Sequence, residues 1–204
     1  MAERDRFEVG TKTTHNPDRL DYGPSMLLVG ATPLELAPFR DVETLVCGVG
    51  PVEAAATTAL RLASGPRPSG VLQLGIAGAR DLDPGTLVLG LEAIYCDLAE
   101  AAVPLIRRAV PDPRLLHLAR EALPEALVVP IGTSARVGGA ASRAAVEAME
   151  GFAVLRAAEQ AGIPALELRA VSNRYTDARG DWHIQDALDA LTGAVSRLLE
   201  ALDA

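Results

Sequence analysis

Between Ala144 and Asn173 the chain reads AAVEAMEGFAVLRAAEQAGIPALELRAVSN, and the punctuation of this stretch restricts the possible fold more than any other. Ala145 to Met149 is apolar except for Glu147 and reads as a short strand, and Gly151 opens a helical run that closes at Gly162 with Pro164 beyond it. A second strand follows from Leu166 to Val171 and ends in Ser172 and Asn173. Strand, helix and strand in this order call for an α/β fold. They set Glu150 at a strand-to-helix junction and Asn173 at the end of the next strand. Carboxyl ends of strands are where open α/β sheets bind ligands, because the loops there diverge and leave a crevice. Glu150 reads equally well as a helix-start acid stabilised by the macrodipole.

The chain has 204 residues, enough for one domain with a sizeable core, and 49% of them are hydrophobic. Aromatic residues make up only 3%, and the formal net charge is -8, so stacking platforms and a phosphate-tracking surface are both missing. Nucleic acid is excluded as a partner on that ground. Cys47 and Cys96 each lie in an apolar segment and read as buried small hydrophobes in a reducing compartment. His15, His117 and His183 are far apart and form no ligand-type pairing, so no metal site is expected. No apolar run is long enough to span a bilayer, and the first residues lack the apolar core of a secretory signal, which points to a soluble cytoplasmic protein and no membrane partner.

Residues 1–25 are polar and turn-rich and read as a disordered arm or an extension; the folded domain is expected over 26–204. Met26 to Val29 is a buried strand, after which Gly30 to Pro33 turns into a helical segment carrying Glu35, itself open to reading as a first-turn acid. Glu43 to Cys47 is a second strand, and the Gly48-Val49-Gly50-Pro51 turn leads into an Ala-rich helix over Val52 to Ala63. The third glycine and the acid of a dinucleotide fingerprint are missing, so this is a turn. Val71 to Leu74 is a strand that empties into Gly75, Ile76, Ala77, Gly78 and Ala79, expected to be a loop whose N–H groups face a ligand or a plain glycine turn. Thr86 to Tyr95 and Leu127 to Ile131 read as strands and Pro113 to Leu123 as a helix, while 97–111 has no clear assignment. Trp182 to Leu202 carries apolar residues at helical spacing; Trp182 either caps a pocket or staples the helix to the sheet.

Four segments therefore leave strand ends together: those holding Glu35, Gly75 to Ala79, Met149 with Glu150, and Ser172 with Asn173. Two acids in one apolar cleft suit acid–base work on a neutral polyol, since burial and mutual repulsion raise one pKa and ready that carboxylate to take a proton from water.

The order of GATPLE, GVGPVEAA, LGIAGA, AVEAMEG and RAVSN resembles the nucleoside phosphorylase and nucleosidase superfamily, and within it the futalosine hydrolases of menaquinone biosynthesis. The likeness runs from Met26 to about Leu202. It implies a single three-layer domain with a central mixed sheet flanked by helices, no cofactor, a purine nucleoside as ligand, and a homo-oligomer, whose size the sequence leaves unread. It also implies roles. The acid matching Glu35 activates the attacking water, the acid matching Glu150 binds the ribose hydroxyls with Met149 beneath the sugar, and Gly75, Ile76, Ala77 and Gly78 lie near base and sugar.

Asn173 stands where the relatives that cleave methylthioadenosine and adenosylhomocysteine carry an aspartate. An amide offers an acceptor and a donor but no proton at neutral pH, which favours a 6-oxopurine such as the hypoxanthine of futalosine. Phosphorylases of the superfamily hold phosphate with arginines beside the glycine loops; here Arg80 and Arg136 follow those loops, leaving phosphate open while water is favoured. The sequence departs from the family in its short 97–111 segment and in the compressed loop from Tyr175 to Trp182, where Arg179, Asp181 and Trp182 stand. The expected activity is hydrolysis of futalosine to hypoxanthine; the alternatives are a methylthioadenosine or adenosylhomocysteine nucleosidase and a catalytically silent nucleoside-binding relative.

Overall fold

Apolar runs without helical period can bury both faces only inside a sheet, and they supply the strands here. The computed structural model describes residues 26–98, 104–137 and 144–203, and contains β1 (Met26–Gly30), β2 (Glu43–Val46), β3 (Gly70–Ala79) and β4 (Leu87–Tyr95). It continues with β5 (Arg108–Ala109), β6 (Leu127–Thr133), β7 (Val146–Ala148) and β8 (Ala165–Arg174). Helices α1 (Pro33–Leu36), α2 (Pro51–Ser64), α3 (Pro113–Ala122), α4 (Gly151–Ala161) and α5 (Ile184–Asp203) come between and after them. The expected arm, residues 1–25, lies outside the described residues.

Helix ends follow their local chemistry. Pro51 and Pro113 occupy first-turn positions that lack a partner for an N–H in any case. Asp112 caps α3 by accepting from the N–H groups of Arg114 and Leu115. Gly162 ends α4 at φ 64°, a left-handed conformation that glycine adopts without strain.

The strands of the described residues form one mixed eight-stranded sheet. β2, β1 and β3 pair side by side in parallel. Beyond them the sheet closes on itself: β3 pairs with β7, β7 with β6, β6 with β4, β4 with β8, and β8 again with β3. The open edge expected from the sequence is thus replaced by a ring. β7 is antiparallel and β8 parallel to β3, so the strands on either side of α4 run in opposite directions.

One segment expected to be a loop is strand, and one strand runs past its expected end. Gly75 to Ala79 continues β3, and Ser172 and Asn173 lie inside β8, because the two strands pair from Val71 with Ala165 to Ala79 with Arg174. That pairing gives the glycine-rich backbone partners it lacks locally. The register slips between Ala77 and Gly78, a bulge that re-aims the side chains beyond it. The unassigned 97–111 segment contributes β5, antiparallel on β4. Cys47 is buried as expected, whereas Cys96 is only half-buried.

Alternation along the strands sends side chains to two helical layers and to the inside of the ring. Leu72, Leu74, Leu166 and Leu168 pack against Leu115 of α3 and Leu191, Val195 and Leu198 of α5. Leu27, Val29, Val71 and Ala165 pack against Ala54 of α2 and Val154, Leu155 and Ala158 of α4. Ala77, Val88, Ile131, Val146, Ala148 and Val171 fill the ring. The three-layer arrangement expected from the resemblance is the one found.

Candidate active site

A cavity of about 410 Å³ opens where β3, β7 and β8 meet the turns before α1 and α4. Glu35, Ile76, Ala77, Gly78, Met149, Glu150 and Asn173 all line it. At its acidic end Glu35 is only 7% exposed. One carboxylate oxygen accepts from the backbone N–H and the hydroxyl of Thr32, at 2.9 and 3.2 Å, closing the first turn of α1 on itself. The other accepts from the N–H of Ile76 at 3.3 Å.

Glu150 faces it from the start of α4. The N–H of Gly50 donates to one oxygen at 3.1 Å, and Arg169 Nη2 donates to the other at 3.4 Å. Thr133 Oγ1 accepts from the N–H of Phe152 at 2.9 Å, which anchors the first turn of α4 just after Met149 and Glu150. The Phe152 ring stacks on Tyr95 with centroids 5.3 Å apart.

Arg169 was not singled out from sequence, yet it ties this end together. It is 1% exposed, donates from Nε to Glu167 at 2.9 Å, and sends Nη1 toward the carbonyl of Ile76. Burial opposes its charge, but the carboxylates of Glu167, Glu150 and Glu35 more than offset that, and the guanidinium is held firmly protonated. Glu167, wholly buried, is pushed up by desolvation despite its pairing with Arg169. Cys47 beside them is pushed up to about 12, first by burial and then by the charge of Glu150, so its thiol is inert.

Gly75, expected near base and sugar with the three residues after it, is not among the residues lining the cavity; an added Cβ there would stand 2.4 Å from Arg169 Nη1 and 2.6 Å from Glu35 Oε1. Its role is to let these two charged ends approach the strand. The signal that would have found Arg169 and Glu167 is their spacing: opposite charges two residues apart on one face of an otherwise apolar strand.

The other end carries amide and carboxylate chemistry. Asn173 is 5% exposed; its Oδ1 accepts from the Ser172 hydroxyl at 2.9 Å, and one Nδ2 hydrogen goes to the carbonyl of Arg174 at 3.0 Å. Glu147 of β7 lines the cavity beside it. Trp182, for which the sequence allowed two roles, is on the cavity wall with Leu34, Val49, Ile184 and Leu188. Arg136 and Arg179 border it, Arg179 lying 5.4 Å over the Trp182 ring. Arg80 instead lies 5.6 Å over the ring of Tyr175. Among the described residues no three metal-ligating side chains cluster, and no helix is long and apolar enough to cross a membrane.

Comparisons with known proteins agree with this architecture. Residues 39–204 match the family model described as the phosphorylase superfamily. The chain is 37% identical over 188 residues to the futalosine hydrolase of Streptomyces coelicolor, covering 79% of this chain and 80% of that one. The fold is that of the futalosine hydrolase of Helicobacter pylori, with a TM-score of 0.74 at 18% identity over 86% of this chain and 97% of that one. It is also that of the 5'-methylthioadenosine/S-adenosylhomocysteine nucleosidase of Neisseria meningitidis solved with methylthio-immucillin-A, with a TM-score of 0.77 at 21% identity over 87% and 99%. With the matched residues spanning most of the sheet and every cavity-lining strand, the chain belongs to the phosphorylase superfamily, on the branch that holds the futalosine hydrolases.

Proposed function

We propose that this chain is a hydrolase that cleaves the N-glycosidic bond of futalosine and releases hypoxanthine, and that the cavity lined by Glu35, Glu150 and Asn173 is where it does so. The observation that carries the reading is the Asn173 amide, standing across the cavity from the buried carboxylates of Glu35 and Glu150.

The geometry suits each step. Glu150 uses one acceptor position on each oxygen for Gly50 and Arg169, which leaves the remaining lone pairs for two ribose hydroxyls, with Met149 against the sugar. Among the described residues Glu35 Oε1 has a single protein donor, Ile76, so it can hold a water and take its proton as the oxygen bonds to the anomeric carbon. The carbon–nitrogen bond breaks with its electron pair moving into the purine, and the carboxylates stabilise the oxocarbenium character of the sugar more than they stabilise the intact nucleoside. The free Nδ2 hydrogen of Asn173 donates to the purine as negative charge spreads over its O6 and N7. The proton taken from water ends on the departing base, so that hypoxanthine and a sugar bearing a C1 hydroxyl leave. Gly78 permits close approach of the base to β3, because a Cβ there would already stand 3.3 Å from Asn173 Nδ2.

The same reading includes a soluble cytoplasmic enzyme of menaquinone biosynthesis that works as a homo-oligomer. Leu34 and Val49 support the last point: they line the cavity and are 60% and 55% exposed, an apolar rim that a second copy would cover. The test is base release from futalosine, inosine and methylthioadenosine in phosphate-free buffer, followed by chromatography, with a parallel run in phosphate. Hypoxanthine from futalosine, unchanged by phosphate, is expected. Adenine from methylthioadenosine would overturn the Asn173 argument, and release only with phosphate would make the enzyme a phosphorylase.

A further inference from the structure

Glu147 is the buried group that the mechanism above leaves unused. It is 7% exposed, lines the cavity, and one of its carboxylate oxygens is fully buried with no hydrogen-bond partner among the described residues. The Tyr175 hydroxyl is spent elsewhere: it donates its proton to the carbonyl of Ala144 at 3.2 Å, and burial together with the charge of Glu147 pushes that phenol up, away from ionisation. Arg80 does not relieve it either, since its guanidinium lies over the Tyr175 ring. A desolvated carboxylate oxygen without a donor is costly, and the carboxyl group that carries it belongs to a residue lining the cavity, where a ligand can bring a donor to the group.

Register fixes which part of a ligand that would be. Gly78 of β3 pairs with Glu147 on one side and with Asn173 on the other, so the carboxylate and the amide flank one residue. Glu35 and Arg169 converge on Gly75, three residues back along the same strand, or roughly 10 Å at the rise of a β-strand. That separates the acidic end, where the sugar sits, from the Glu147 end by about the reach of a purine. A 6-oxopurine carries acceptors at O6 and N7 and a donor at N1–H; a 6-aminopurine has an acceptor at N1. The free Nδ2 hydrogen of Asn173 can serve O6 or N7, and Glu147 offers a carboxylate acceptor for N1–H.

We propose that Glu147 is a specificity-determining residue that accepts the N1–H of a 6-oxopurine while the Asn173 amide donates to the same base. The inference rests on the reading of the cavity as a purine nucleoside site. Glu147 rejects adenine by facing its N1 lone pair with a carboxylate, and rejects an N1-methylated base by leaving the carboxylate unpaired.

The test uses Glu147→Ala and Glu147→Gln beside wild type, with two readouts. The first is kcat/KM on futalosine and on the nucleosides with the same 5′ group but adenine or N1-methylhypoxanthine as base. Wild type should prefer hypoxanthine by about 100-fold or more, Glu147→Ala should lose most of that preference, and Glu147→Gln should gain activity on adenine, whose N1 can accept from the new amide. The second is calorimetric binding of free hypoxanthine, 1-methylhypoxanthine and adenine, which needs no turnover. Hypoxanthine binding lost in Glu147→Ala supports the inference even if wild type cleaves no nucleoside, in which case the hydrolase reading alone falls. Turnover of futalosine with unchanged base preference in a folded Glu147→Ala variant overturns the inference and leaves the hydrolase reading standing. A wild type that binds no purine overturns both. Thermal midpoints close the remaining gap: replacing an unpartnered buried carboxylate should not lower the midpoint, and a large drop in Glu147→Gln would show that Glu147 is structural instead.

Discussion

Gly75→Ala is the smallest change that reaches the reacting end of the cavity. The φ of Gly75 is not positive, so the backbone accepts alanine without strain. The new methyl carbon, however, would stand 2.4 Å from Arg169 Nη1 and 2.6 Å from Glu35 Oε1, where ordinary contact begins at 3.4 Å. Each charged end must therefore retreat by roughly 1 Å: Arg169 is walled in on every side, and Glu35 can give way only into the cavity, out of the position in which it holds the water. A displacement of that size at a catalytic carboxylate costs about 100-fold in rate, or about 2.7 kcal/mol of barrier. Overpacking costs a further 1–3 kcal/mol or so of stability. Steady-state kinetics on futalosine should show the loss in kcat with KM changed much less, because Glu150 and Asn173 are not touched by the new methyl. Circular dichroism and thermal unfolding separate the rate effect from loss of fold. A folded Gly75→Ala enzyme with kcat within about threefold of wild type would refute the idea that Gly75 holds Glu35 and Arg169 in place.

Other outcomes follow from the same contacts. Gly193→Ala places its methyl in open space inside α5 and should stabilise the protein by about 0.5–1 kcal/mol in denaturant titrations, without effect on kcat. Glu167 has a folded pKa raised above 4.5, so the folded state binds the proton more tightly and this group's contribution to stability falls as pH rises through that window. Glu167→Gln should accordingly gain on wild type in unfolding free energy as pH rises above about 4.5, by up to about 1.4 kcal/mol per pH unit; parallel pH profiles would contradict this. In a Cys96→Ala background, Cys47 should resist a thiol reagent at pH 8 until denaturant is added, since it is buried and its pKa is pushed up to about 12.

The local elements were legible wherever punctuation and periodicity act over a few residues. Gly151, Gly162 and Pro164 bound α4, and the apolar stripe of α5 marks its buried face. The ring was not legible, because strand pairing depends on partners far away in the chain. Gly75 to Ala79 looks like a loop to any local rule, since glycine is a poor strand former, and it becomes strand only because β8 lies alongside, some ninety residues later. The acidic end of the site was half legible. Glu35 and Glu150 stand out at helix starts, but Arg169 and Glu167 are hidden inside what reads as an apolar core strand, and the need for glycine at Gly75 shows only once Glu35 and Arg169 are seen against it. Glu147 was visible as the one polar residue of an apolar strand; its meaning came only from the register that sets it beside Gly78 opposite Asn173.

The most direct measurement is hydrolysis of futalosine in ¹⁸O-labelled water containing phosphate, with mass spectrometry of both products, for wild type and Glu35→Gln. Label on the C1 hydroxyl of the sugar with hypoxanthine unlabelled, and turnover reduced by at least about 100-fold in Glu35→Gln, is the expected result. An unlabelled sugar phosphate, or full activity in Glu35→Gln, would contradict water attack assisted by that carboxylate.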